Sequence, residues 1–253
     1  MKYGIFVYSI ICYVIFVVTF LYAIGFVGNI GVPKSMDAGE QLPFLAALLI
    51  NLILLGIFAI QHSVMPRKAF KEWWTKIIPP AAERSTYVLL SSLALALLFW
   101  QWKPMGQVVW DVSGTTLGSS LMLLSICGWL FVFISTFLID HFELFGLKQA
   151  FFHMVNRKPM TSKFKTPGFY KLVRHPIYLG FTVAFWATPI MTTAHLLFAI
   201  GTLGYVIIGI FFEERDLRSF FGDEYKEYQS KVSMLFPIPF LSKRGKEVSR
   251  VDD

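Results

Sequence analysis

Residues 177–212 contain no Asp, Glu, Lys or Arg over 36 consecutive positions, and this run restricts the fold more tightly than anything else in the sequence. As one helix it would extend about 54 Å at 1.5 Å per residue, far beyond the roughly 30 Å hydrocarbon core of a bilayer. The run must therefore turn back on itself. The stretch "TPIMTTAH", residues 188–195, supplies a tip, because Pro189 cannot continue a helical hydrogen-bond ladder and threonines cluster after it.

Four other charge-free runs precede it, at 3–33, 41–66, 85–102 and 112–139, each close to or beyond the roughly 20 helical residues a span requires. Only 15% of the chain is charged and its mean hydropathy is +0.59, values foreign to a soluble domain of this size. The expected fold is an all-α polytopic membrane bundle of four spans, a C-terminal helical hairpin and a cytoplasmic helix. Residues 1–139 would form the four-helix transmembrane region. Residues 140–253 would hold a cytoplasmic loop, the hairpin and the last helix. The first apolar run is too long for a signal peptide and reads as a retained span.

The spans also sort the positive charge. With the N-terminus inside, 21 of the 23 Lys and Arg residues fall on the cytoplasmic side and only Lys34 and Lys103 fall outside, as short retained loops require. Net charge of +7 is thus a topology signal, and a nucleic-acid partner is not needed to explain it. Cys12 and Cys127 lie inside apolar runs without metal-type spacing, so both read as buried structural cysteines. No metal-ligand set stands out.

Ionisable residues near membrane depth are costly, which makes their placement informative. His62, His141, His153 and His175 sit at or beyond the cytoplasmic ends of spans, with Asp140, Glu143, Glu213 and Glu214 on the same side; His195 belongs to the outer tip. In "QHSVMPRKAFKEWW", His62 ends a span and a basic, Trp-rich interfacial anchor follows. In "LIDHFELFGLKQAF", Asp140 and His141 end the next inward-running span. Because residues 177–212 fold back, Arg174 to Tyr178 and Glu213 to Arg215 return to one membrane face, where opposite charges meet. Two uses are open: a salt bridge closing the hairpin base, or a site for a cofactor bearing an amine and a carboxylate, Arg174 taking the carboxylate and a glutamate the ammonium or a ribose diol.

"RHPIYLG" followed by "EERDL" and "FGDEYKEYQ" resembles the C-terminal signature of the integral membrane S-adenosylmethionine-dependent methyltransferases, the family that includes isoprenylcysteine carboxyl methyltransferase and the phospholipid N-methyltransferases. "QHSVMPRKAFKEWW", "ERSTYVLLSSLALALLFWQW" and "DHFELFGLKQAF" extend the resemblance, over nearly the whole chain, to the branch that methylates methanethiol to dimethyl sulfide. The resemblance implies S-adenosylmethionine as cofactor and a small thiol as acceptor, in a bacterial-type inner membrane with the site facing the cytoplasm. It assigns cofactor binding to Arg174, His175, Pro176, Tyr178, Glu213 and Glu214, with Tyr170 and His153 on the pocket wall. A prenylcysteine carboxylate or a lipid is the alternative acceptor.

No GxGxxG follows a strand, so a helical pocket would replace the Rossmann mode of binding. Pro176 suits the first turn of a helix, where no N–H partner is required. A small thiol is a weak acid, with a pKa of roughly 8.5 or above, so a base near its sulfur would help. His141, oriented or charged by Asp140, is the first candidate and Asp140 the second. From other classes, four histidines near one face would also suit a haem-binding electron carrier, which a Soret band would reveal, and a membrane scaffold would bind no cofactor at all. In a cysteine-free background, a cysteine at position 107 is expected to react with an impermeant reagent added outside intact cells while one at 160 stays protected. Strong labelling at 160 would contradict the topology.

Overall fold

A computed structural model describes residues 2–157 and 164–237; position 160 lies outside them. Among the described residues the helices are α1 (Lys2–Gly28), α2 (Phe44–Val64), α3 (Lys68–Trp74), α4 (Pro80–Gln101), α5 (Thr116–Ile139), α6 (His141–Leu144), α7 (Leu147–Met154), α8 (Pro176–Trp186), α9 (Thr193–Phe221) and α10 (Asp223–Lys231). Two short strands, β1 (Val108–Asp111) and β2 (Ile190–Thr192), and a 3₁₀ turn at Gly168–Lys171 complete them.

The protein is a multi-pass helical membrane bundle. α1, α2, α4, α5 and α9 are each long and apolar enough to cross a bilayer, and they expose Val18, Ile53, Ile60, Leu123, Leu130 and Ile207, as lipid-facing surfaces do. α8 departs from the full-length first limb expected of a two-span hairpin. It has 11 residues, about 16 Å of helix, or half a bilayer. The chain leaves the helix early because the tip is committed to other bonds. β2 pairs antiparallel with β1, setting Ile190 opposite Asp111 and Thr192 opposite Val108, and the Val112 N–H donates to Pro189 O at 2.9 Å. Thr192 then caps α9 by accepting from His195 N at 3.1 Å. His195 Nε2 donates to Phe185 O at 2.7 Å, tying α9 to the last turn of α8.

Glycine sets how α8 lies on α5. A Cβ placed on Gly128 would stand 2.7 Å from Ala184 N and 2.8 Å from Gly180 O, and one on Gly180 would stand 2.7 Å from Val132 Cγ2. The two backbones are therefore in contact, the arrangement by which membrane helices gain dispersion energy without a hydrophobic drive. α1 and α4 are joined through small hydroxyls, Ser85 Oγ donating to Ser9 Oγ at 2.8 Å. Buried Asn51 of α2 holds the exit of α4 with a pair of bonds, donating to Lys103 O at 2.8 Å and accepting from Lys103 N at 2.9 Å. An aromatic core of Phe26, Phe99, Trp102, Trp129 and Phe198 fills the space between these helices.

Cys12 is buried, as expected, but Cys127 is exposed. It lies beside exposed Ile126 and close to exposed Leu130; where the solvent is lipid, an apolar thiol gains little from interior burial. Gly128→Val or Gly180→Val is expected to cost about 1–3 kcal/mol through overpacking, read as a lowered unfolding midpoint in detergent. An unchanged midpoint would mean that the helices can separate without loss.

Candidate functional site

The face of the bundle that carries most of the basic residues assembles two polar clusters. The first lies at the mouth of the hairpin. Pro176 opens α8 at a first-turn position, so the preceding residues Arg174 and His175 are fixed against α9, which remains helical past Glu213 and Glu214 to Phe221. Arg174 Nε donates to Glu214 Oε1 at 2.7 Å, and each side chain is only 12% exposed. His175 Nε2 lies 3.1 Å from the same oxygen, and Gln229 Nε2 of α10 donates to Glu214 Oε2 at 2.7 Å. Arg174 Nη1 donates to Gln229 O at 3.1 Å and to Val232 O. Its backbone N–H donates to Ser233 O at 2.8 Å, and that of His175 to Met234 O at 3.2 Å. One buried ion pair thus binds the start of α8, the end of α9 and the exit of α10.

Around this pair the structure gathers most of the expected residues. Glu213 is half-exposed, with His175 Nδ1 3.8 Å away. The Tyr178 hydroxyl reaches α9 and stands 3.7 Å from where a Gly209 Cβ would be. Tyr170 is buried on the 3₁₀ turn, and its carbonyl accepts from Tyr228 Oη at 2.5 Å. Burial and the nearby Glu213 carboxylate push the Tyr170 phenol well above its ordinary range. Tyr225 is buried with its hydroxyl unpartnered, and burial with the Glu214 carboxylate raises it likewise. His153 lies on α7, which packs against α1 and α4.

The Asp140–His141 pair forms a separate nest. His141 is buried, with Nδ1 2.8 Å from Thr136 Oγ1 and Nε2 2.8 Å from Tyr13 Oη; Phe137 stacks on the ring at 4.1 Å. Burial holds its pKa below the usual histidine value, and the Asp140 charge offsets only part of this. Asp140 itself is bonded to other groups. It accepts from Glu143 N at 3.0 Å, capping α6, and pairs with Lys148. Partial burial pushes its carboxyl upward, but Lys148 and the Glu143 N–H outweigh burial and hold it below the ordinary range. Among the described residues no hydrogen bond or ion pair joins this nest to Arg174, Glu213 or Glu214.

The second cluster lies deeper, between α2, α4 and α9, and sequence reading located only His62 in it. Tyr87 Oη stands 2.9 Å from His62 Nε2 and 3.0 Å from Nδ1, bridging one ring edge, while Ser91 Oγ is 3.1 Å from Nδ1. Tyr205 packs edge-on to His62 at 6.2 Å, and Phe58 stacks on it at 5.0 Å. The Arg84 guanidinium sits 4.9 Å over the Tyr87 ring. Spacing carries a signal for these residues: Tyr87 and Ser91 are four apart, and Tyr205, Gly209 and Glu213 recur at four and eight, which is one helix face.

Comparison with known proteins places the chain. A family model described as "NnrU protein" matches residues 48–234. Methanethiol S-methyltransferase 1 of Bradyrhizobium diazoefficiens is 54% identical over 93% of this chain and 83% of its own. Methanethiol S-methyltransferase of Mycobacterium tuberculosis is 50% identical over 94% of this chain and 98% of its own. The chain belongs to the NnrU and methanethiol S-methyltransferase family. Nurim of Mus musculus, 31% identical over 74% of this chain and 78% of its own, is a more distant relative. No solved structure matches.

Proposed function

We propose that the protein transfers a methyl group from S-adenosylmethionine to a small thiol, methanethiol, forming dimethyl sulfide at the cytoplasmic face of a bacterial-type inner membrane. What carries this reading is identity of about half with enzymes of that name over more than nine-tenths of the chain. The basic side of the bundle, with His62, Arg84, Arg174 and Glu213, is the side on which a charged nucleotide cofactor is available.

The hairpin mouth fits such a cofactor by the chemistry of its donors. Tyr225 Oη is buried and unpartnered, which is costly for a hydroxyl, and Glu213 keeps a half-exposed carboxylate beside it. Arg174 is proposed to meet the carboxylate end and Glu213 and Glu214 the ammonium or ribose diol. Tyr170, His175 and Tyr178 wall the site with His153 of α7, and Pro176 fixes the approach of Arg174. The cofactor, when bound, supplies a sulfonium methyl already activated for displacement. The chain's own tasks are alignment, exclusion of water and removal of the acceptor's proton. His141 and Asp140, the residues first proposed for that last task, stand apart from this mouth; its proton acceptor is treated below. The spans around the site touch lipid, into which a small apolar thiol partitions.

Incubating the purified protein with a donor carrying a CD₃ methyl and with methanethiol is expected to release dimethyl sulfide bearing one CD₃ group, detected by headspace mass spectrometry. A protein that binds the donor yet yields no labelled dimethyl sulfide would overturn the acceptor. Arg174→Ala and Glu214→Ala are each expected to weaken donor binding by about 1.5–3 kcal/mol, the range for hydrogen bonds to charged groups. Unchanged affinity in both by calorimetry would leave the pair a purely structural clasp.

A further inference from the structure

Two histidines share one hydrogen-bond design. Ser91 Oγ lies 2.9 Å from Tyr87 O and 3.1 Å from His62 Nδ1; with its proton donated to the carbonyl it accepts from His62 Nδ1–H. In that arrangement His62 Nε2 holds the lone pair, 2.9 Å from a Tyr87 hydroxyl that also lies 3.0 Å from Nδ1. Thr136 Oγ1 similarly donates to Phe133 O at 2.7 Å, so His141 Nδ1 donates to Thr136 and its Nε2 accepts from Tyr13. Both rings are built as neutral proton acceptors with a tyrosine over the basic nitrogen.

Their surroundings differ. The His141 ring lies in an aromatic nest of Tyr13, Phe133, Phe137, Phe142 and Phe145, on α1, α5 and α6 and the residue after it. The His62 ring instead meets α9, the helix that carries Glu213. Tyr205 contacts His62, and Glu213 lies eight residues on along the same face, about 12 Å up the helix. Tyr178 stands between them against Gly209. The titratable and charged groups facing the ring are Tyr87 and Arg84 from α4 and Tyr205 from α9; Glu83 acts on Tyr87.

We infer that the polar seam of His62, Tyr87, Ser91 and Tyr205 is the acceptor subsite, and that His62, through Tyr87, takes the proton of the thiol. The inference rests on the proposed thiol methylation. The thiol S–H proton passes to Tyr87 Oη as the Tyr87 proton passes to His62 Nε2. The electron pair of the broken S–H bond stays on sulfur, leaving methanethiolate, a neutral tyrosine and an imidazolium. Ser91 is a positioning residue that keeps Nε2, and not Nδ1, free to accept.

The test uses ¹³C-labelled methanethiol with purified, donor-free protein, reading thiol and thiolate from their separate NMR shifts, beside donor affinity and dimethyl sulfide formation. Wild type is expected to show bound thiolate below the pH at which free methanethiol ionises. His62→Gln and Tyr87→Phe should lose that signal while keeping donor affinity within about threefold, whereas His141→Gln should keep it. Turnover of His62→Gln should fall roughly 10² to 10⁴-fold and recover in part as pH approaches the pKa of the thiol. Ser91→Ala should diminish the thiolate signal and Ser91→Thr restore it. Thiolate retained in His62→Gln but lost in His141→Gln would overturn the assignment, as would a parallel collapse of donor binding in His62→Gln. A wild-type protein that binds donor and thiol but forms no dimethyl sulfide would instead defeat the underlying reaction, whatever the variants do.

Discussion

The buried pair between Arg174 and Glu214 holds the basic end of the molecule together. Removing two charges from water costs several kcal/mol each, and that cost is offset only where the remaining polar atoms are also bonded. Here they are: Gln229 takes the second carboxylate oxygen, His175 shares the first, and Arg174 also reaches two backbone carbonyls at the end of α10. The opposite end of the hairpin is closed by different means, the β1–β2 ribbon and the bond from His195 to Phe185 O. Fixed at both ends and backed by glycine contacts on α5, α8 presents Arg174, His175 and Tyr178 in one arrangement.

That rigidity relates two chemical requirements that differ in polarity. The ends of a nucleotide cofactor need charged partners, and those lie at the membrane face. A small thiol needs an apolar setting with one base, and the seam beneath supplies Phe58 and Met65 around His62 and Tyr87. Tyr178 and Tyr205 occupy the interval between Glu213 and His62. The resulting order along α9, from charged carboxylate to phenol to imidazole, suits a reaction that joins a cationic donor to a lipid-soluble acceptor.

Much of this was legible in the sequence. Charge-free runs located the five long apolar helices, the length of the last run required a turn near Pro189, and that turn returns Arg174 and the Glu213–Glu214 pair to one membrane face, where Arg174 and Glu214 are bonded. What escaped has physical causes. The brevity of α8 depends on strand pairing with residues 108–111, a long-range contact that local hydropathy does not encode. Asp140 reads as a partner for the adjacent His141, yet adjacent residues point apart, and Lys148 in the first turn of α7 takes the carboxylate instead. Tyr87, Ser91 and Tyr205 are uncharged hydroxyls inside apolar helices, and their convergence on His62 depends on how α2, α4 and α9 pack together. The unpartnered Tyr225 hydroxyl depends on how α10 docks, which no motif specifies.

If Arg174 and Glu214 bind the donor as one unit, their contributions cannot be independent, because each alone leaves the other as a buried, unmatched charge. A double-mutant cycle on donor affinity, using Arg174→Met, Glu214→Leu and the double variant, measures this directly. The expected result is strong non-additivity, the double variant binding no more weakly than the worse single one. Losses that simply add would show that the two residues act separately and that the buried pair does not organise the site.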